Sequence, residues 1–519
     1  MKIFVAIFAG AIVASVPGWA EPTARQMSAS AAARFLDQAT WGPTPASIAE
    51  LQKMGMSNWL KLQFASNTSN IPDQPILTSA GKNNNDLRPV QAAFFVNAVT
   101  GQDQLRQRVA FALSEIWVVS TNGVPLAYAF PPYWRIFRDD AFGNYRDLIR
   151  DVTLNPAMGR FLNMANNNKG NPAKNTAANE NYARELMQLF TLGLIQLNLD
   201  GSPVLDQNKN PVPTYDQAVV TNMAKVLTGW TYPTAPGATA KNNNPPYFVG
   251  KMFAVQALHD TSGKTIFGGI TIPAGQTAEQ DLNSLLDALM AQSTMAPFVS
   301  KELIQHLVTS NPSPQYISRV ANVFENDGNG VKGNLQAVIT AILMDAEARA
   351  GDDAAPVATF GHMREPVLFM TNVLRGLNAT LTTTSTIYSD TTQMGQSLFQ
   401  AGSVFSYFSP QYRIAGGFFG PEFQIYTTQT AANRADIVNA ILYGKIDKGT
   451  SVNLGAFVEQ AGSTESLLRY ISELFLHGGM STQLEQAATD AVDAASTPLA
   501  KAQAALYTVL TSGEYQIIH

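Results

Sequence analysis

The chain has 519 residues, 34 basic against 39 acidic side chains, a formal net charge of −5 and no cysteine. That length allows two to four domains or one large domain with insertions, and the mild acidity argues against nucleic acid or an anionic membrane as a partner. Without cysteine there is no disulfide, no lipid-modified cysteine, no covalent c-type haem, no cysteine-ligated iron–sulfur cluster and no cysteine nucleophile. Charged residues make up 14%, against about 25% in an average soluble protein. Asn, Gln, Ser and Thr fill the difference. A polar surface of low charge suits an extracytoplasmic protein, and also a neutral polymer whose hydroxyls pair with amides and whose rings stack on aromatics.

Residues 1–20 read as a secretory leader: Lys2 supplies the charge, Ile3 to Val16 the apolar run, and Gly18-Trp19-Ala20 a small-residue cleavage site before Glu21. The alternative, a membrane anchor, is too short and is broken by Pro17 and Gly18. Cleavage removes Lys2, taking the 34 basic residues to 33. No later stretch approaches the roughly 18 apolar residues of a membrane helix. A periplasmic or extracellular protein is expected.

From Ser28 the spacing predicts a helical hairpin, with Ala32, Phe35, Leu36 and Ala39 inward before the Gly42-Pro43-Thr44-Pro45 break. Residues 104–119 predict an amphipathic helix, with Leu105, Val109, Ala112, Leu113 and Ile116 inward and Arg106, Gln107 and Glu115 at or near its polar side. Gly143-Asn144 caps a helix that carries Arg146, Asp147, Arg150 and Asp151 until Pro156 stops it. An amide-rich loop, 163–179, then leads into residues 179–193, the stretch with the densest charge pattern. There Asn179 caps, Gly193 ends the helix, and Glu180, Arg184, Gln188 and Glu185 lie opposite Tyr182, Leu186, Leu189 and Phe190.

Between 234 and 276 glycine and proline become frequent, and 247–249, 252–254 and 265–267 read as short strands. Helices resume at Ala278, residues 395–426 are aromatic, Gly-rich and poorly periodic, and the end is a run of helices. The expected fold is mainly α: a helical part 21–233, a small β-containing insertion 234–276, and a helical part 277–519 packed with the first as one large domain.

The stretches ARFLDQATWGPT (33–44), RQRVAFALSEIWVVS (106–120), AFGNYRDLIRDVTLNPAM (141–158), ENYARELMQLFTLGL (180–194), HDTSGK (259–264), NPSPQYISRVANVF (311–324), REPVLFMTNVLR (364–375) and GPEFQIYTTQ (420–429) together resemble the bacterial family known as domain of unknown function 1800. Its members often end with a proline where this chain has Gly513. The resemblance implies a secreted, largely helical protein whose gene often neighbours that of a secreted sulfatase-like family, and it implies no settled activity.

Glu180 and Arg184 stand i,i+4 with the acid first, a helix pair worth about 0.2–0.5 kcal/mol, so their role can be structural. Glu185 lies about 140° around the helix from Glu180 and about 7.5 Å along it, so the two carboxylates diverge. A glycosidase pair converges at about 5–9.5 Å, and a second acid would have to come from elsewhere, from Asp147 and Asp151 or from Glu115. His259-Asp260 with Lys264 offers a general base or metal ligand, or a polar turn. His362 and Glu365 precede Pro366 in a loop, so they lack the helical Glu-x-x-His ligand order. Residues 325–330 have a calcium-loop outline, but Gln336 stands where the bidentate Glu belongs. Trp41, Trp117, Trp134 and Trp230 with the Phe405-Ser406-Tyr407-Phe408 run offer stacking surfaces or core packing.

The expectation is a protein that acts on or binds an envelope or extracellular polysaccharide through carboxylate chemistry, as a hydrolase or lyase. Glu180, Glu185, Arg184, Tyr182, Asp147 and His259 are the candidate catalytic residues, no cofactor is predicted, and metal dependence stays open. The rival is a non-catalytic assembly partner or chaperone of a co-secreted sulfatase-like protein, and a metal-dependent redox enzyme is a third reading.

Overall fold

A computed structural model describes residues 27–352, 357 and 359–519. The predicted leader, 1–20, lies outside them. Among the described residues are 22 α-helices and four two-stranded antiparallel ribbons, so the fold is mainly α, as the periodicity indicates. One apolar core runs from Ala32 to Ile518. No helix among the described residues is long and apolar enough to cross a membrane.

Local chemistry sets most helix starts. Ser28 accepts from the Ala31 N–H ahead of helix Ala29–Ala39, and Thr44 forms a capping box with Ser47 around Pro45. Asn144 caps helix Tyr145–Thr153 through the Arg146 N–H. The helix predicted over 104–119 runs Gln104–Ile116 and differs in one respect. Its expected polar side is inside: Arg106, Gln107, Arg108 and Glu115 are all buried, because helices Met56–Ala65, Phe130–Asp140 and Met295–Leu307 pack around it. Arg106 spends its guanidinium on the Ser66, Phe64 and Arg138 carbonyls.

The stretch 179–193 is not one regular helix. An α-helix, Asn181–Glu185, passes into a π-helix, Leu186–Thr191. The wider turn shifts every side chain after Glu185 away from its position on a 3.6-residue wheel. Phe190, on the predicted apolar face, is buried and stacks on Trp117 at 4.3 Å, while Leu189 lies against a cavity. Gly193 ends the element at φ 74°, as expected.

Two ribbons belong to the β-containing stretch: Trp230–Thr231 with Phe253–Ala254, and Lys264–Thr265 with Thr271–Ile272. Residues 247–249 form no strand; Phe248 is instead an anchor, buried between Tyr128 and Tyr232. The other ribbons are not foreshadowed by the sequence. One pairs Thr380–Leu381 with Thr450–Ser451. The other pairs His362–Met363 with Ile517–Ile518 across most of a domain's length of chain. At Gly361, φ is 108° and an added Cβ would lie 2.1 Å from the Ile518 carbonyl oxygen, so the two backbones meet at a distance only glycine permits. Trp41, Trp117, Trp134 and Trp230 are core residues, whereas Phe405 is exposed.

Candidate functional site

The last turn of helix Gln104–Ile116 carries Glu115 into the interior, and helix Met295–Leu307 brings Glu302 and His306 one turn apart. The His362–Met363 ribbon and the start of helix Pro366–Gly376 supply His362 and Glu365. The 3-10 turn Pro421–Ile425 adds Glu422. Gln396 ties two of these together. Its Oε1 accepts from the Val367 N–H at 2.8 Å, which fixes the amide orientation. Its Nε2 therefore donates to Glu115 Oε1 at 3.1 Å and to Glu365 Oε2 at 2.5 Å.

Around this pair the polar groups are only partly satisfied. His362 Nδ1 stands 3.3 Å from Glu422 Oε1, and His306 Nδ1 stands 3.6 Å from Glu115 Oε2. Arg108 donates through Nη2 to the His306 carbonyl. Arg108 Nε and Nη1, Glu115 Oε2, His362 Nε2 and Glu422 Oε2 are buried without a protein partner. Such atoms are costly unless water or a ligand meets them. Glu115, Glu302, His306 and Glu422 line a cavity of about 50 Å³ closed by Leu189, Phe405 and Ser406. That is room for a few waters.

The electrostatics divide the carboxylates into unlike groups. Burial holds the Glu115 carboxyl well above its ordinary range, and the adjacent Glu365 adds to this. Burial also raises Glu365, but Arg108 and the Gln396 hydrogen bond pull it back. Helix ends act in the same sense: Glu115 sits at the C-terminal end of its helix, where negative charge is disfavoured, and Glu365 at an N-terminus, where it is favoured. Both influences favour the proton on Glu115 over Glu365. Burial pushes Glu302 up to about 7. Burial, with the Arg108 and His362 charges, lowers His306 to about 3, so it is a neutral imidazole at neutral pH. One cavity thus presents a carboxyl disposed to keep its proton and a second carboxyl that titrates at about 7, a combination suited to general acid–base chemistry. Among the described residues no three His, Asp or Glu side chains group as metal ligands; His362 turns to Glu422 and Glu365 to Gln396 and Glu115.

The six residues nominated from the sequence stand elsewhere, and none lines this cavity. Glu180 pairs with Arg184 at 3.2 Å, as the spacing predicts, and accepts from Gln217 and Thr221 on the next helix, Gln217–Val226. This is a half-exposed strut. Glu185 is half-buried, its carboxyl raised by burial and eased by Arg184. Tyr182 is buried with its hydroxyl 2.6 Å from Thr153 Oγ1. Asp147 is exposed. His259 is fully buried, and its partner is Asp281 at 3.1 Å rather than Asp260, which caps its own turn at Ser262. Lys264 completes that cluster at 2.6 Å from Asp281. Residues 326–331 are a turn in which Asn326 and Asp327 accept from backbone N–H groups.

Of the groups in the cavity, Glu115 and the His362–Glu365 pair had drawn notice from the sequence; Glu302, His306, Gln396 and Glu422 had not. One signal was available: Glu115, Glu365 and Glu422 lie inside stretches that carry the family resemblance, each beside apolar residues.

A mainly helical protein with a buried carboxylate–histidine cavity is what fold and site define. The chain belongs to the family described as protein of unknown function (DUF1800), whose model matches residues 34–517. No curated protein and no solved structure matched it.

Proposed function

We propose that this cavity is the catalytic centre of a secreted carboxylate-dependent hydrolase acting on an envelope or extracellular polysaccharide. The observation that carries the reading is the Glu115–Glu365 pair under Gln396, with its unpaired Glu115 Oε2 facing a cavity that also holds Glu302. Ionised Glu302 takes a proton from a cavity water, whose oxygen attacks the glycosidic carbon. As the C–O bond breaks, Glu115 gives its proton to the leaving oxygen. Glu365 and Arg108 hold the pair's charge, and a proton returns from Glu302 to Glu115 to close the cycle. The cavity accepts water but not a sugar ring as it stands, so admission of substrate requires the wall at Phe405 and Ser406 to open.

The test is release of new reducing ends from a panel of polysaccharides and peptidoglycan by the purified mature protein. Glu115→Gln and Glu302→Gln should each lower turnover about 10²–10⁴-fold. A folded wild-type protein that leaves the whole panel intact, or a Glu115→Gln variant of full activity, would refute the reading.

A further inference from the structure

The cavity opens beneath residues 402–420, and the composition of that segment is unusual. From residue 391 to 421 the only charged side chain is Arg413. Three aromatic rings there are turned outward: Phe405 is 43% exposed, Tyr412 38% and Phe418 42%. Phe405 is also part of the cavity wall, so the exposed rings are continuous with the carboxylates. The segment is anchored at Phe419, whose N–H and carbonyl exchange hydrogen bonds with the Asn311 amide at 2.8 Å each.

Two cations meet at the same place. The Arg413 guanidinium lies 4.0 Å from the centre of the Phe419 ring, and Lys301 Nζ lies 4.8 Å from it. Among the described residues neither has a carboxylate within ion-pair distance. Lys301 precedes Glu302 in the chain, and burial lowers its ammonium below the ordinary lysine range. Glu302 offsets part of the Lys301 desolvation, but neither cation is ion-paired, so a partly desolvated cation beside an exposed one is stabilised by an incoming anion.

Resting on the catalytic reading above, we propose that residues 402–420 form the substrate-binding surface and select sugar units that bear an anionic group. The sugar rings stack on Phe405, Tyr412 and Phe418, and the acid group of a unit pairs with Arg413 and Lys301. Charge complementarity favours an acidic polymer over a neutral one. The hairpin tip, Ala415-Gly416-Gly417, is too small to sink into a lipid surface and leaves the rings free to stack.

Affinity electrophoresis of the full mature protein in native gels containing polygalacturonate, dextran sulfate or dextran tests this, with sedimentation on phosphatidylcholine–phosphatidylglycerol vesicles alongside. Retardation is expected in one or both anionic gels and not in dextran; polygalacturonate alone identifies a carboxylate, dextran sulfate alone a sulfate. Arg413→Ala combined with Lys301→Ala should weaken retention at least about tenfold, and Phe418→Ala about threefold to tenfold, with unchanged thermal melting. Equal retention on dextran, no retention at all, undiminished retention of the double variant, or sedimentation with vesicles in its place would each overturn the proposal. Glu115→Gln separates the two ideas. Retention that survives in this variant while the wild type cleaves nothing sinks the catalytic reading alone. Cleavage of a neutral polymer that Arg413→Ala leaves unaltered sinks the binding proposal alone.

Discussion

Two buried clusters in this protein contain the same kinds of groups and differ in what they leave undone. In one, Asp281 accepts from His259 and Lys264, His259 Nδ1 meets the Thr228 carbonyl at 2.9 Å, and Lys264 also donates to the Asp260 and Ser262 carbonyls. Only Asp281 Oδ1 is left over. In the other, around Glu115, five buried nitrogen and oxygen atoms lack a protein partner, and two of their residues, Glu115 and Glu422, line a cavity. Burial and residue type are alike. The lesson is that a closed network with little unspent hydrogen bonding holds a fold together, whereas an incomplete one with access to solvent is arranged to receive something.

The comparison breaks most sharply on turnover. Glu115→Gln is expected to lower it about 10²–10⁴-fold while circular dichroism and melting stay near wild type. If Glu115→Gln unfolded the protein, the cavity cluster would be as structural as the other. Asp281→Asn should do the opposite, destabilising the fold by about 3–5 kcal/mol by leaving Lys264 as a buried, uncompensated charge, measured by urea unfolding. A stable Asp281→Asn variant would abolish the distinction.

A smaller effect lies in pH dependence. Glu302 titrates at about 7 folded against an ordinary 4.5, so the folded state binds the extra proton. Stability is fullest below about 4.5, falls as pH rises toward about 7 and levels off above it. Because the side chain keeps some contact with solvent, the loss is about 1–3 kcal/mol. Glu302→Gln should remove this slope and be the more stable protein at pH 8. In the wild type, turnover should rise through the same interval as Glu302 ionises. The smallest change is expected at the strut on the surface: Glu180→Gln should cost less than about 1 kcal/mol and leave turnover unchanged.

Much of the helical frame is legible in the sequence because its signals are local. Ser28, Thr44 and Asn144 cap where their side chains reach an N–H two or three residues on, and the Glu180–Arg184 pair forms at its predicted spacing. The site is not legible in the same way. Glu115 and Glu302 look like solvated helix charges in their own windows, and Glu365 and Glu422 like loop charges; only packing from all sides brings them inward. Asp147 and Glu180 have the denser local charge pattern and remain outside. The π-helical turn at Leu186–Thr191 also escapes a 3.6-residue reading, since it holds no Gly or Pro and its apolar spacing fits an ordinary α-helix. Phe190 on Trp117 and Leu189 beside the cavity are its visible contacts.

The ribbon between His362–Met363 and Ile517–Ile518 makes the assembly of the carboxylate cluster wait on synthesis of the whole chain. His362 is held by a strand made more than 150 residues later in the chain, so a polypeptide still emerging from a ribosome has every glutamate of the cluster and no fixed arrangement of them. Such long-range closure comes late in folding.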